Sequence, residues 1–493
     1  MSIYHINKKV RNILLIIGFS IIAFTVMGYH PGYEDDGVYL ADIKFNLNPA
    51  LYSHDAKFFH EQLQATVFVR MITAFIRLTH LPLSITLIFF QFAAITLILL
   101  SCFNIAQKLF PNEANTAWGG VALVASMFTL PVSGTALFLV DQHLHPRNIA
   151  TAIILFAILQ ILTRKVFLPI ILLLLAFFIH PLMALMGISF CFFLLLFVRL
   201  DSCKTLASTT KFQNMLIPSW FFEPPSSLWQ EVVKTRSYYY LSNWMWYEWL
   251  GIIAPLILFL LLGIFSCKNK NILLSKFAFA VLVYGLFQFI ISIIVLNSSM
   301  FTRLIPLQPM RFLHLIYIFM ILIFGCYIGK YVLRNSILKW STFLLIIYVG
   351  MFFTQRQLLG NSDHIELPGS MPANSWQQAF KWVQLNTPID AYFALDPFYL
   401  ELPGEDYHNF RALAERSQLS DAIKDAAIVT HIPHLARLWK EHIDAQKGWV
   451  NFTQNDFEKL KRKYGVDWVI IMSSQSTGLH CYWQNQLISV CKL

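Results

Sequence analysis

Eight apolar runs of roughly 17–25 residues, the length a helix needs to cross the hydrocarbon of a bilayer, constrain this chain more than any other feature. They lie at 12–28, 82–106, 117–140, 148–163, 247–266, 273–296, 312–329 and 338–353. A further apolar stretch, 166–199, is about twice the needed length and contains His180-Pro181, so it reads as two short spans or one long broken one. Composition agrees: 57% of the residues are hydrophobic and 13% charged, against about 45–50% and 25% in soluble domains. A cytosolic globular protein is excluded, and an aromatic content of 15% excludes disorder. The chain reads as an α-helical polytopic membrane protein of about nine to eleven spans.

Basic clusters orient the spans. Lys8, Lys9 and Arg11 hold the N-terminus in the cytoplasm, and Lys108, Arg164 with Lys165, Lys268 with Lys270, and Lys330 with Arg334 fall on the same side if the spans alternate. The first span has no cleavage site after it and reads as an anchor. Residues 29–81, the turn at 141–147, the turn holding Arg303 and Arg311, and everything after Phe353 are then outside. If 166–199 crosses twice, one more crossing must lie between Asp201 and Trp244. The charge balance shifts along the chain. From 355 onward there are 13 basic and 15 acidic residues, against 24 and 12 before. No basic, water-exposed face offers itself to nucleic acid.

The chain therefore divides into a transmembrane part, 1–354, and an external tail, 355–493. Strand-like runs at 391–395, 426–430 and 468–472 alternate in the tail with helical patterns at 375–385, 433–445 and 455–464, which predicts a small α/β domain. Ser375 reads as an N-cap, and Asn386, Thr387 and Pro388 as a stop. Residues 410–417 read as a strand with Arg416 held by Asp421 or Asp425. Cys481 and Cys491 flank an expected hairpin turn and are either a disulfide, which needs an oxidising compartment, or two free thiols. Cys102, Cys191 and Cys326 sit in apolar runs as small core residues.

The strongest local signal is His30, Pro31, Gly32, Tyr33, Glu34, Asp35, Asp36, Gly37, Val38 and Tyr39, three consecutive carboxylates just beyond the first span. Clustered acids raise one another's pKa unless a cation offsets them, which suits a general base, a metal ligand or both. The other reading is a solvated turn shaped by Gly32 and Gly37. Apolar residues at helical spacing over 58–78, interrupted by Arg70 and Arg77, predict a helix lying on the membrane surface. Asp141, His143 and His145 read as a turn capping the following helix, or as part of a zinc site without a firm third ligand. Glu248 either pairs with Arg236 or faces the headgroups.

An acidic motif after the first span, followed by interfacial helices, resembles the first external loop of the GT-C class of glycosyltransferases, which take sugars from polyprenyl-phosphate carriers. A polytopic body with an external α/β tail is similar to bacterial members of that class. It is most similar to a bacterial group that shares an acidic first loop, a His-Pro pair within a span, and a tail run. The matching residues here are His180-Pro181 and Trp382, Asn386, Thr387, Pro388, Asp390, Ala391, Phe393, Asp396 and Pro397.

The resemblance implies an inverting, GT-C-like enzyme of the bacterial inner membrane, with its tail in the periplasm. It would move a sugar from a polyprenyl-phosphate-linked donor to a glycan, lipid or protein acceptor on the outer face. By that analogy Asp36, slightly ahead of Asp35 and with Glu34 beside them, is the catalytic base. Arg147, Arg236, Arg303 and Arg311 are the phosphate holders, or else interfacial anchors for ordinary membrane lipids, and His180, Tyr39 and Asp141 join them as substrate- and phosphate-binding residues. Asp35 and Asp36 could bind a divalent cation (Mg or Mn), which arginines holding the phosphate would make optional. Two other classes remain: a transporter or channel with His180 on its path, and a non-catalytic scaffold whose tail binds a partner. Hydrolysis lacks a framework, since neither GxSxG nor HExxH occurs.

Overall fold

The computed structural model describes residues 8–111, 113–199, 226–475 and 477–493. Among the described residues, seven helices are long and apolar enough to cross a membrane, and two shorter apolar helices accompany them. The protein is a multi-pass, mainly helical membrane protein with a small C-terminal α/β domain.

Helix α1 (Lys8–Met27) leads into a loop built from α2 (Asp36–Leu47), α3 (Lys57–Leu63) and α4 (Phe68–Thr79), and α5 (Leu83–Leu109) returns across the bundle. The surface helix expected over 58–78 is thus two helices, broken at 64–67. Its amphipathic second part buries Phe68, Val69 and Ile72 against α2 and α5. The span expected at 117–140 is also corrected. Helix α6 (Ala114–Ser126) stops after 13 residues, and the chain turns into a hairpin of β1 (Pro131–Val132) and β2 (Leu137–Phe138). Pro131 and Gly134, whose φ is +65°, favour the turn over a continued helix.

Helix α7 (Pro146–Leu162) has proline at its first position, where the missing N–H is no loss. Helix α8 (Phe167–Ile179) ends because Pro181 disfavours a helical residue before it, and α9 (Pro181–Arg199) runs back along both α8 and α7. The stretch 166–199 is therefore two short helices. The crossing expected between 201 and 244 concerns in part residues 200–225, which lie outside the described residues. Helix α10 (Ser227–Lys234) already packs on the tail.

Helices α11 (Trp246–Lys268), α12 (Ile272–Asn297), α13 (Leu313–Tyr327) and α14 (Ile337–Leu358) complete the bundle. The span containing α13 is its centre, 78% buried, while α14 is 6% buried and faces outward. Gly119 and Gly120 of α6 meet Gly325 and Gly329, and a Cβ on Gly119 would lie 2.4 Å from the Gly325 carbonyl oxygen. Only glycine permits that approach. At one end of the bundle Lys330 pairs with Glu113 at 2.7 Å, Asn115 bonds the Arg334 carbonyl, and Asn271 bonds that of Leu109. The basic clusters there share one end, and the tail sits at the other.

The tail contains α15 (Ser375–Asn386), β3 (Tyr392–Ala394), α16 (Phe410–Ala414), β4 (Ser417–Gln418), α17 (Lys424–His431), α18 (Ala436–Ala445), α19 (Gln454–Tyr464), β5 (Trp468–Met472), β6 (His480–Gln484) and β7 (Ile488–Lys492). The sheet order is β4-β3-β5-β7-β6. The first three strands are parallel and the last two antiparallel to their neighbours. Apolar clusters fill both of its faces. Cys481 and Cys491 are directly opposite and bonded to each other. Four expectations are corrected. Residues 426–430 are helical, Asn374 rather than Ser375 caps α15, and 410–417 is a short helix ending at Ala414. Arg416 bonds Thr387 and the Gln384 carbonyl, not an acid.

Backbone pairing locks tail and first loop together. Tyr29 N–H donates to the His364 carbonyl at 3.1 Å and Glu366 N–H to that of Tyr29 at 2.9 Å. On the other side Glu34 N–H reaches the Tyr407 carbonyl at 2.9 Å, and Asn409 N–H that of Gly32 at 2.8 Å. Two isolated bridges, Tyr29 with Ile365 and Tyr33 with His408, thus hold the loop leading into the three acids between two pieces of the tail.

Candidate functional site

A cavity of about 450 Å³ opens where the tail covers the bundle. Its wall takes Asp35 and Tyr39 from the first loop, His145 and Arg147 from the start of α7, His180 from the α8–α9 turn, and Arg311 from the 3-10 segment Pro309–Phe312. The tail supplies Lys424, Ala427, Ile428 and His431 from one face of α17. Tyr238, Tyr239 and Gln308 complete the polar part, and Leu63, Ile179, Leu182 and Ile432 the apolar part.

The three acids separate. Glu34, at φ +52°, and Asp35 both reach Lys424: Glu34 by direct contact, and Asp35 Oδ1 at 3.1 Å from Nζ. Asp36 turns away. Its Oδ2 accepts the Gly32 N–H at 2.7 Å, closing the turn, and the residue is 2% exposed and absent from the cavity wall. Burial pushes the Asp36 carboxyl up. Asp36, the acid preferred from the sequence, thus lies outside the cavity wall, whereas the Asp35 side chain lines it and is 42% exposed. Burial pushes Asp35 up, but Lys424, His145 and Arg147 prevail and hold it well below the usual carboxylate range. Nor do Asp35 and Asp36 suit a shared cation. Their oxygens face different partners, Asp35 the Lys424 ammonium and Asp36 the Gly32 N–H.

His145 caps α7. Its Nδ1 accepts the Arg147 N–H at 3.0 Å, so in the neutral ring the proton is on Nε2, 3.6 Å from Asp35 Oδ2. Burial, then Arg147, pushes its pKa down to about 4. The capping reading of the turn at 141–147 is the one observed. Asp141 grips the Arg147 guanidinium with both oxygens, Nε to Oδ2 at 3.0 Å. Arg147 is fixed, its charge largely matched.

Arg311 is different. Its Nε donates to Gln308 Oε1 at 2.7 Å, and no carboxylate pairs with it among the described residues. Arg236 does not line the cavity, but its Nε and Nη2 are buried without a hydrogen-bond partner. The protein around His431, then Arg311 and Arg236, pushes that histidine's pKa down to about 4. Arg303 lies on the exposed side of the segment Ser299–Leu307 and is not in the cavity wall. Glu248 bonds the Met245 N–H at 2.7 Å, capping its own helix rather than pairing with Arg236.

Sequence reasoning missed Lys424 and His431. They stand seven residues apart with Ala427 and Ile428 between, the spacing of one helix face, and reading 424–431 as a helix would have aligned them. An arrangement with Arg147, Arg311 and Lys424 around one accessible carboxylate can bind an anion and hold an ionised acid beside it.

No protein-family model matches the chain, and no curated protein matches it. Among solved structures it is similar to the oligosaccharyltransferase of Archaeoglobus fulgidus in the apo form. The TM-score is 0.37 at 10% identity, covering 93% of this chain and 69% of that one. It is similar also to the oligosaccharyltransferase AglB of the same archaeon, in complex with an inhibitory peptide and a dolichol-phosphate. There the TM-score is 0.40 at 10% identity, with 94% and 70% covered.

Proposed function

We propose that the protein is a GT-C-like, inverting glycosyltransferase that binds a polyprenyl-phosphate-linked sugar in this cavity. The basic end of the bundle would face the cytoplasm of a bacterium and the tail the periplasm. The observation that carries the reading is the convergence of Arg147, an acid-free Arg311 and Lys424 on the accessible carboxylate of Asp35. An anionic headgroup would satisfy Arg311, and apolar residues beside it suit the start of a lipid chain.

Asp35 takes the proton of an acceptor hydroxyl as its oxygen bonds the anomeric carbon from the face opposite the phosphate. The carbon–oxygen bond to phosphate breaks, and its electron pair leaves with the phosphate held by Arg147 and Arg311. A depressed pKa makes a weak base, but a bound phosphate near Asp35 adds negative charge and raises it. The donor thus prepares the base. Tyr39, one helical turn after Asp35, and His180 form the wall beside the phosphate.

Binding of a polyprenyl phosphate to the purified chain tests this. Arg311→Gln should weaken it about tenfold or more, the worth of one hydrogen bond to a charged group, with the fold unchanged. Equal binding by wild type and variant would remove the phosphate site.

A further inference from the structure

Away from the cavity, three side chains meet where the first loop is zipped to the tail. His30 Nδ1 and His408 Nε2 both lie against one carboxylate oxygen, Glu366 Oε1, at 2.8 and 2.9 Å. Both rings are fully buried. The other oxygen of Glu366 accepts from Gln377 Nε2 at 2.7 Å, which turns Oε1 toward the rings. Two imidazoles donating to one oxygen leave their far nitrogens, His30 Nε2 and His408 Nδ1, buried without a partner. Such a state costs free energy. Glu405 Oε1 lies 3.9 Å from His408 Nδ1, and Glu405 Oε2 is also buried and unpartnered.

We infer that His30, Glu366 and His408 form a binding site for a zinc-class divalent ion, which fastens the acidic loop to the tail. Two imidazoles and one carboxylate suit zinc, whereas magnesium and calcium favour oxygen ligands alone. The three ligand atoms already lie within 4.8 Å of one another. Bonds of about 2.0–2.1 Å to a tetrahedral ion hold ligand atoms about 3.4 Å apart, so Glu366 Oε1, now 2.8 and 2.9 Å from the two nitrogens, withdraws by about half an ångström. The ion takes the nitrogens that face Glu366 and moves each ring proton to the far side. On His408 that proton then faces Glu405, the carboxylate–histidine–metal arrangement typical of such sites. Glu366 also lines a second cavity of about 420 Å³, which supplies an entry path and a water for the fourth position. None of the three residues lines the first cavity, so the ion positions Asp35 through the backbone of residues 30–35 without touching the reacting groups.

The full chain in detergent, stripped with a chelator and dialysed, is titrated with Zn²⁺ against a chromophoric chelator, and with Co²⁺ read by its visible absorption. Wild type is expected to bind one ion and to melt at a higher temperature with it. Glu366→Gln, which keeps an oxygen for the histidines, and His408→Ala should each lose roughly a hundredfold in affinity, and the melting response with it. Gln377→Ala touches no ligand atom and should lose roughly tenfold while keeping the Co²⁺ spectrum. A folded wild type that takes up neither ion overturns the inference. So does uptake left unchanged in both Glu366→Gln and His408→Ala.

Discussion

Arg411 joins the first loop to two parts of the tail through one buried guanidinium, and replacing it with methionine should pull them apart. Its Nε contacts Asp55 of the loop, and its two terminal nitrogens grip Asp425 at 2.7 and 2.9 Å. All three side chains are 3% exposed or less. Methionine keeps most of the aliphatic stem and gives up the guanidinium that lies over Phe58, so little packing is lost, but two carboxylates are left without their cation. Removing one partner of a buried pair costs about 3–5 kcal/mol.

The penalty also depends on pH. Burial pushes the Asp425 carboxyl up, and Arg411 is the chief influence opposing it. Without the arginine Asp425 takes up a proton, so the loss is greatest near about pH 8 and shrinks toward about pH 5. Thermal unfolding of wild type and Arg411→Met in detergent, followed by near-ultraviolet circular dichroism at both pH values, measures it. A loss below about 1 kcal/mol at the higher pH, or an equal loss at both, would refute the reasoning.

Asp35→Asn should lower sugar transfer by about 10²–10⁴ with little change in melting. Asp36→Ala should instead appear as a stability loss of about 1–2 kcal/mol from the opened turn, so product formation and unfolding separate the two acids. The folded protein refuses His145 a proton until about pH 4, while the unfolded chain accepts it near pH 6.5. Stability is therefore full above about 6.5 and falls by roughly 3 kcal/mol as pH drops toward 4. His145→Asn should flatten that part of the stability curve. Reducing Cys481–Cys491, ten residues apart, should cost about 2–3 kcal/mol, and Cys491→Ser should show the same loss with no further response to reductant.

The bundle was largely legible because spanning length is a local property of sequence. The 117–140 run failed since hydropathy ignores what Pro131 and Gly134 do to the backbone. Within Glu34, Asp35 and Asp36 no local signal chooses the accessible acid. That choice is made by the left-handed turn at Glu34 and by the Gly32 N–H that Asp36 captures. Lys424 was hidden because Ala426, Ala427, Ile428, Val429 and Thr430 imitate a buried strand, a short run whose period is ambiguous. Arg411 and Arg416 are five residues apart, and the helix ending at Ala414 sends the first rather than the second to the acids. Arg303 and Arg311 share a turn in the sequence, yet only Arg311 lines the cavity wall.

The central claim is that the cavity between tail and bundle receives a lipid phosphate beside Asp35. An experimental structure of the full chain with a polyprenyl phosphate tests it most directly. The phosphate is expected within about 3 Å of the Arg147 and Arg311 guanidiniums, on the Asp35 side of the bundle, with its chain leaving past Leu182. A phosphate found at the opposite end, near Lys108, Lys268 and Arg334, would contradict the account.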